Sequence, residues 1–410
     1  MEKPSSVHQT LQSQEVMAGR KISIKDRPDG EENKGIDSNQ IKSGVSAEVV
    51  AAVDVNTTAN QVYKHNFPNT PLWPKSIEGI SLEELDSLAF DMILMSPPCQ
   101  PFTRIGLQGD VSDPRAKSFL YILEILPRLQ KPPRYILLEN VKGFETSEAR
   151  DALIRTLESC GYIYQEFLLS PPRLGIPNSR LRYFLIAKLQ GEQFAFQTTN
   201  RILEEFPGCD TSEPAGPSSA VGPQRNVQTD EGSLRHKQWP EGGFLYKLET
   251  AEQLERKRSQ DDDCSVQTLQ DFLEDNVETG RHLLPPKALL RYALILDIVT
   301  PTCRRSTCFT KGYGHYVEGT GSILQVATDV EISSAYKSLE TLSDEEKLAK
   351  LSTLKLRYFT PREIANLHGF PAQFDFPDKI TTKQRYRLLG NSLNVHVVAK
   401  LISLLLQNTM

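Results

Sequence analysis

Short apolar segments alternate with amphipathic ones between about residue 45 and residue 190, and this alternation constrains the fold more than any other feature of the sequence. The apolar segments predict strands at 48–53, 90–96, 134–140, 162–169 and 182–189. The segments between them predict helices at 57–64, 81–88, 118–129 and 150–160. Strands that alternate with helices form a mostly parallel sheet with helices on both faces, so we predict an α/β fold for residues 45–190.

The composition of the chain changes on both sides of this core. Residues 1–44 are polar and charged without a sustained period, so we expect them to be disordered. Residues 191–248 are rich in Pro, Gly, Ser and Asp and predict a flexible insertion. A second region follows at 249–380. The segment 381–410 contains an apolar helix that we expect to return to the core.

Composition also restricts where the chain works. The formal net charge of -5 argues against a globally basic nucleic-acid coat, although one basic face remains possible. The 6 cysteines, in a sequence without an apolar signal core, favour a reducing compartment. No apolar run approaches the roughly 18 residues of a membrane span. We therefore expect a protein of the cytoplasm, with the nucleus as a second location, without a membrane partner and monomeric in preference to oligomeric.

Three reactive side chains follow predicted strands. Asp54 closes the strand at 48–53, as do acids that hold a ribose hydroxyl in nucleotide-binding α/β proteins. Cys99 lies in the proline-rich loop after 90–96, and Glu139 ends 134–140. A buried structural cysteine and a solvated surface acid are the alternatives. Because ligands bind at the carboxyl ends of strands in open α/β sheets, we predict a nucleophilic Cys99 and a functional Glu139.

Two further segments carry polar side chains whose meaning is open when each is taken alone. Arg180 and Arg182 lie two residues apart on an extended segment and hence on one face, which is often a solvated edge. The segment GNSLN (390–394) precedes the last helix and by itself indicates a helix N-cap.

Taken in order, the segments SPPCQPFT, ENV, NSRLR, TPREIANLHGFP and GNSLN resemble the cytosine-C5 methyltransferase family over about residues 45–406. The tripeptide CFT (308–310), together with NSRLR, resembles the branch of that family that methylates a cytosine in the anticodon loop of aspartate tRNA. The resemblance implies a Rossmann-like, S-adenosylmethionine-dependent methyltransferase fold, with the second region, 249–380, as an inserted target-recognition region.

The resemblance also implies roles for particular residues. Cys99 would add to C6 of cytosine and so activate C5, and Glu139 would hydrogen-bond the N3/N4 edge of the base. Arg180 and Arg182 would contact and orient the base. The residues implied to bind S-adenosylmethionine are Asp54, Ile77, Glu78, Ser96, Asn391 and Ser392. The implied partner is tRNA, with DNA as a weaker one.

One element of the family pattern is missing. The family begins with a strand and a Phe/Tyr-x-Gly-x-Gly loop whose backbone approaches the cofactor, and no such motif precedes Asp54. We expect an alternative N-terminus in which the central strand has been replaced, leaving its two neighbours unpaired. S-adenosylmethionine binding should then be impaired. Three functions remain in view: a tRNA methyltransferase, a catalytically silent RNA-binding form, and a DNA cytosine-5 methyltransferase.

Two weaker patterns lie in the second region. Cys303 and Cys308 are spaced as C-x4-C without a second pair, so we predict no metal site. Basic and aromatic residues are interleaved, which is compatible with a solvated face or with an RNA-contacting surface. These residues are Lys287, Arg291, Arg304, Arg305, Lys311, Arg385, Arg387, Tyr292, Phe309, Tyr313 and Tyr386.

Overall fold

A seven-stranded sheet forms the centre of the molecule in the computed structural model. The structure describes residues 47–98, 116–208, 251–275 and 277–407, and the backbone of 17–21. The strands of the sheet are β1 (Met17–Lys21), β2 (Glu48–Val53), β3 (Leu72–Trp73), β4 (Met92–Met95), β5 (Tyr135–Val141), β6 (Tyr162–Leu169) and β7 (Arg182–Leu189). Their spatial order is β3-β2-β1-β4-β5-β7-β6. Five strands are parallel to one another, whereas β1 and β7 run antiparallel to their neighbours. The predicted α/β fold is thereby confirmed.

Helices cover both faces of this sheet. They are α1 (Thr57–Asn66), α2 (Leu82–Leu88), α3 (Lys117–Ile125) and α4 (Glu148–Ser159). Successive residues of β4 alternate between two cores: Ile93 and Met95 pack with α2, α3 and α4, and Met92 and Leu94 pack on the opposite side with α1. This alternation is the consequence of the two-residue period of a strand.

The second region packs on the same side as α1. Its elements are α5 (Ala251–Asp262), α6 (Pro286–Tyr292), β8 (Ile298–Val299), β9 (Ile323–Gln325), α7 (Ile332–Tyr336), α8 (Asp344–Ser352), β10 (Leu356–Arg357) and α9 (Pro361–Leu367). The three strands form a small sheet in the order β10-β9-β8. The charged helix that opens this region, α5, ends at Asp262.

The chain then returns to the main sheet through α10 (Thr382–Asn391) and α11 (Val395–Leu406). Asn394 caps α11, since its side chain accepts hydrogen bonds from the backbone N–H groups of His396 and Val397. A cap of this kind stabilises a helix by about 1 kcal/mol. The segment Thr382–Leu406 is apolar and long enough to cross a membrane by composition alone, but 78% of its most apolar 18-residue stretch is buried inside the molecule. It is a core element of this fold.

The structure corrects two expectations about segments outside the predicted core. Met17–Lys21 form a strand between β2 and β4, so the expectation of disorder for 1–44 is wrong at these five residues, and the remainder lies outside the described residues. Residues 191–208 also differ from a flexible insertion, because Phe194 and Phe206 are buried and Leu203 exchanges backbone hydrogen bonds with β6. Residues 209–250 lie outside the described residues.

The placement of β1 has a physical explanation that composition does not reveal. Without it, β2 and β4 would each present a row of unpaired backbone groups in the middle of the sheet. Backbone hydrogen bonds do not depend on side-chain polarity, so a segment from a polar stretch can satisfy them. The two neighbours are therefore paired, contrary to our expectation, although by a strand that runs antiparallel to both.

Candidate active site at the carboxyl edge of the sheet

The strand pairing places three predicted site residues in one row. Val53 is opposite Met17, Met17 is opposite Met95, and Met95 is opposite Leu138. Asp54, Ser96 and Glu139 each follow this row by one residue. With neighbouring strands about 4.8 Å apart, the backbone of Ser96 lies about 5 Å from that of Glu139 and about 10 Å from that of Asp54. Residues far apart in sequence thus line one edge.

Glu139 lies at the base of this site as a buried carboxyl group. It is 7% exposed, and its Oε1 is 3.3 Å from Nε of Arg182 on the adjacent strand β7. Burial raises the pKa of Glu139, and the positive charges of Arg182 and Arg180 only partly offset that effect. The carboxyl group is therefore easier to protonate than a surface glutamate.

Cys99 lies outside the described residues, but the segment that leads to it is described. Ser96 follows β4 directly and is half-buried. The side-chain amide of Asn140 donates to the Pro97 carbonyl at 3.4 Å. This hydrogen bond joins the end of β5 to the beginning of the cysteine loop, so Asn140 fixes how the loop leaves the sheet. Sequence reasoning used the neighbouring acid and missed this amide.

Arg180 has a different environment from the one predicted. Its Nη1 donates to the Phe309 carbonyl at 2.9 Å and to Sγ of Cys308 at 3.2 Å, and its Nη2 donates to the Gly390 carbonyl at 2.9 Å. Three of its five N–H groups are therefore used to hold two segments of the second half of the chain against β7. Arg180 therefore holds these two segments in place, whereas Arg182 is paired with Glu139.

Cys308 contacts both arginines, and the cluster of Glu139, Arg180, Arg182 and Cys308 side chains is called the pocket below. Although burial by itself raises the pKa of the Cys308 thiol, the charges of Arg180 and Arg182 outweigh it and lower that pKa. Sequence reasoning used this residue in the CFT tripeptide and as half of a weak metal motif, and it gave Cys308 no place in the site. Among the described residues no group of three or more His, Cys, Asp or Glu side chains is arranged to hold a metal ion.

The predicted cofactor residues surround the other end of the row. Asp54 is 4% exposed, and its Oδ1 accepts a hydrogen bond from the Asn56 backbone at 2.7 Å. Ile77 is buried in a short 3-10 helix, and the adjacent Glu78 accepts a hydrogen bond from Ser118 at 2.7 Å. These residues place an acid and an apolar side chain at the edge formed by β2 and β3.

The turn after α10 packs against α1, the helix that follows Asp54. Asn391 ends α10, and Ser392 is buried with its hydroxyl donating to the Leu388 carbonyl at 2.9 Å. Ser392 shares a small cavity with Ala59 and Val62 of α1. Because α1 follows Asp54 closely, this packing brings the 391–392 turn to the same side of the site as the Asp54 carboxylate.

The fit to S-adenosylmethionine is partial. An acid, a hydroxyl group and the 391–392 turn are present where an adenosyl group and its methionine end could be held. The backbone cradle is not formed by β1, because its amino end at Met17 lies at this edge and its carboxyl end at Lys21 lies opposite Glu48, at the far edge. A glycine loop that follows the carboxyl end of the central strand cannot reach the site in this arrangement.

Comparisons with known proteins show the family to which the chain belongs. The sequence model of the C-5 cytosine-specific DNA methylase family matches residues 34–407. A tRNA (cytosine(38)-C(5))-methyltransferase of Homo sapiens is 64% identical over 370 residues, which is 89% of this chain and 94% of that protein. A crystal structure of a Spodoptera frugiperda DNMT2 mutant has a TM-score of 0.68 and 38% identity, and it covers 89% of this chain and 94% of its own. The chain belongs to the C-5 cytosine methyltransferase family, whose methyl donor is S-adenosylmethionine.

A second solved structure and a differently named relative widen the comparison. Dnmt2 methyltransferase of S. pombe has a TM-score of 0.63 and 33% identity, covering 88% of this chain and 91% of its own. A DNA (cytosine-5)-methyltransferase of Dictyostelium discoideum is 38% identical over 368 residues, covering 89% of both chains. A tRNA (cytosine(38)-C(5))-methyltransferase of Spodoptera frugiperda is also 38% identical, so relatives at this identity carry either a tRNA or a DNA name.

Proposed function

We propose that the chain methylates C5 of a cytosine in the anticodon loop of a tRNA of the aspartate type. The names of the relatives with 63–65% identity support tRNA as the substrate class. A cytosine in a loop is already partly unstacked, so moving it into the pocket costs less than extracting one from a duplex.

The reaction begins with the thiolate of Cys99, which adds to C6 of cytosine and forms a carbon–sulfur bond. A protonated Glu139 donates to N3 of the base and accepts from its exocyclic amine, so the electron pair displaced from the C5–C6 double bond is stabilised on the pyrimidine ring. S-adenosylmethionine, when bound, supplies the methyl group that C5 takes up. Transfer of the C5 proton to water leaves its electron pair to re-form the C5–C6 double bond, and the carbon–sulfur bond breaks with release of the Cys99 thiolate.

The observation that carries this proposal is the pairing of Glu139 with Arg182 in the row that Ser96 shares. Burial raises the pKa of Glu139, which favours the protonated form that N3 needs, and Arg182 keeps the carboxyl group in one orientation. Ser96 begins the short segment that leads to Cys99 on the neighbouring strand. An acid that can donate a proton and a cysteine loop are therefore anchored about one strand spacing apart.

The surface features favour RNA, but with fewer contacts than the sequence indicated. Arg305 is 8% exposed and pairs with Asp261 and Asp297, so it is an internal ion-pair residue. The rings of Phe309, Tyr313 and Tyr386 are 1–5% exposed and form part of the core, where they cannot stack on bases. The basic residues that remain exposed are Lys287, Arg291, Lys311 and Arg387, to which Lys383 is added.

Helix α10 is the main candidate for phosphate contacts. It carries Lys383, Arg385 and Arg387 and no acidic residue, and its last turn leads directly to the 391–392 turn of the site. Its positive charge is local, which reconciles RNA binding with the net charge of -5.

We also propose that this chain binds S-adenosylmethionine weakly. The antiparallel direction of β1 supports this, because no strand end in the described residues supplies a glycine cradle at the Asp54 edge. The test is isothermal titration of S-adenosylhomocysteine into the purified chain, beside a version with a family-type first strand and glycine loop. Tight binding to the second alone is expected, and equal binding to both would contradict the proposal.

Methyl transfer is tested with radiolabelled S-adenosylmethionine, a tRNA transcript and a DNA duplex in competition. Transfer to tRNA that is lost in Cys99→Ala supports the proposed reaction, and preference for DNA would contradict the substrate. Binding of tRNA without transfer, restored to transfer by the family-type N-terminus, would identify a catalytically silent RNA-binding form.

A further inference from the structure

The surface turn between residues 310 and 320 carries an aromatic side chain that neither the core nor the pocket uses. Tyr316 is 64% exposed, the largest exposed fraction among the large hydrophobic side chains of the described residues. A single exposed aromatic residue is ordinary on a protein surface. What sets Tyr316 apart is how firmly it is held and where the turn lies.

The turn holds Tyr316 through backbone and side-chain hydrogen bonds. Its backbone N–H donates to the Gly312 carbonyl at 2.8 Å, and its carbonyl accepts from the Thr320 hydroxyl at 2.7 Å. The ring also meets His315 edge-on, with centroids 4.7 Å apart. A Cβ atom at Gly312 would lie 3.2 Å from the Tyr316 ring, so the glycine lets the ring close against the turn. The backbone of Tyr316 is therefore held in place, and its ring contacts His315 and the turn, before any ligand binds.

The turn is seated directly on the basic helix α10. A Cβ atom at Gly390 would lie 2.2 Å from the Lys311 nitrogen, and one at Gly314 would lie 2.8 Å from the ring of Tyr386. The turn thus follows α10 from its last residues back to its middle. The irregular segment that leads into it holds Cys308 and Phe309, both of which contact Arg180.

Exposed basic side chains lie on the turn that carries Tyr316 and on helix α10, and the exposed Glu318 lies on the same turn. Lys311 and His315 on the turn and Lys383 and Arg387 on α10 are exposed. Aromatic side chains interleaved with basic ones are the arrangement that binds single-stranded nucleic acid, where the bases stack on rings and the phosphates meet cations. Gly312 lies four residues from Cys308, so its backbone is within about 14 Å of the pocket, the maximum reach of an extended chain of that length.

We propose that Tyr316 is a stacking platform for an unstacked loop base that neighbours the target cytosine in the RNA substrate. This inference rests on the proposed RNA substrate and adds the contact that positions the loop beside the pocket. Stacking depends on the face of the ring and not on its hydroxyl group. Phe and Trp should therefore replace Tyr316, whereas Ala should not.

The test is the affinity of a fluorescein-labelled, unmodified aspartate-type tRNA transcript, measured by anisotropy for the full chain. Tyr316→Ala should weaken binding about tenfold to a hundredfold, and Tyr316→Phe and Tyr316→Trp should bind as the unchanged protein does. Leu294→Ala, which truncates another exposed apolar side chain at 41% exposure, is the control and should change nothing. Because Tyr316 is exposed, thermal unfolding of the variants should be unaltered.

A series of transcripts with one abasic nucleotide at each loop position in turn identifies the stacked base. One abasic position should weaken binding to the unchanged protein and have no further effect on Tyr316→Ala. The variant should also lose affinity equally at all salt concentrations, whereas Arg387→Ala should lower the salt slope by about one. Unchanged affinity of Tyr316→Ala, or equal further losses at every abasic position, would overturn the inference. Failure of the unchanged chain to bind the transcript would instead refute the proposed substrate, and the inference with it.

Discussion

Nε of Arg182 lies 3.3 Å from Oε1 of Glu139, which joins the first residue of β7 to the carboxyl end of β5. Both side chains are largely buried, with 18% and 9% of their surfaces exposed. A buried carboxylate that keeps a cation at this distance can exist in either protonation state. The pair therefore orients Glu139 without fixing its charge. The proposed reaction needs both properties, because Glu139 would donate to N3 of the base and accept from its amine.

Replacing Arg182 with Ala should destabilise the protein by about 3 kcal/mol at neutral pH, because it leaves a buried carboxylate without its nearest cation. The loss should shrink at pH 5, since a raised pKa means that folding then favours the protonated carboxyl group. Urea unfolding at the two pH values measures this difference. The double variant Arg182→Ala/Glu139→Gln should recover most of the stability at pH 7. The same loss at both pH values would show that the pair is not the cause.

Replacing Gly390 with Ala should displace the CFT segment from α10. The new Cβ atom would lie 2.2–2.4 Å from backbone atoms of Thr310 and Lys311, which cannot move aside as a flexible side chain would. We expect a loss of about 3 kcal/mol or more in the free energy of unfolding, together with the loss of RNA binding. Gly280→Ala is the matched control, because nothing lies within 4 Å of its Cβ position, and it should be neutral or stabilising by about 0.5 kcal/mol. Equal stability of the two variants in urea would refute the prediction.

His368 should make the protein sensitive to mild acid. It is fully buried, neither ring nitrogen has a hydrogen-bond partner among the residues that the structure describes, and burial together with the charges of Arg180 and Arg182 holds its pKa well below the usual value. The unfolded chain therefore takes up a proton below about pH 6.5 that the folded chain refuses, and stability is lost as the pH falls from there. Between pH 6.5 and 5 this should cost about 2 kcal/mol.

Chemical denaturation of His368→Leu across the same pH range tests this assignment. The variant should lose about 2 kcal/mol less stability than the unchanged protein between pH 6.5 and 5. His315→Leu, at an exposed position, should follow the unchanged protein. Parallel pH curves for the chain and for His368→Leu would assign the acid sensitivity to another group.

Cys308 should react with iodoacetamide at lower pH than Cys160. Both cysteine residues are half-buried. The pKa of Cys308 is lowered because the two arginines outweigh burial, whereas burial raises the pKa of Cys160. Mass spectrometry of each labelled peptide over a pH series gives the two reaction profiles. In Arg182→Ala the Cys308 profile should move toward higher pH, and overlapping profiles in the unchanged chain would contradict the charge assignment.

The sequence by itself determined where β2, β4 to β7 and α1 to α4 follow one another along the chain. It also determined that Asp54, Ser96 and Glu139 lie at the ends of strands. These features follow from local hydrophobic patterns, because a buried strand and an amphipathic helix each require a characteristic sequence of apolar and polar residues. The ordered motifs also sufficed to predict the family. The residues of the site lie at one edge because β2, β4 and β5 run parallel. The sequence predicted these three strands, but it missed β1 and β3 and did not indicate that β7 runs antiparallel.

Only the tertiary structure decided which groups are enclosed and which strand fills the centre of the sheet. Arg180 holds two segments in place by donating to carbonyl groups 129 and 210 residues away in sequence. The burial of Phe309 and Arg305 depends on packing across the second region. The antiparallel placement of Met17–Lys21 depends on backbone pairing, which has almost no side-chain signature. Local patterns determine secondary structure, whereas burial and pairing are properties of the assembled chain.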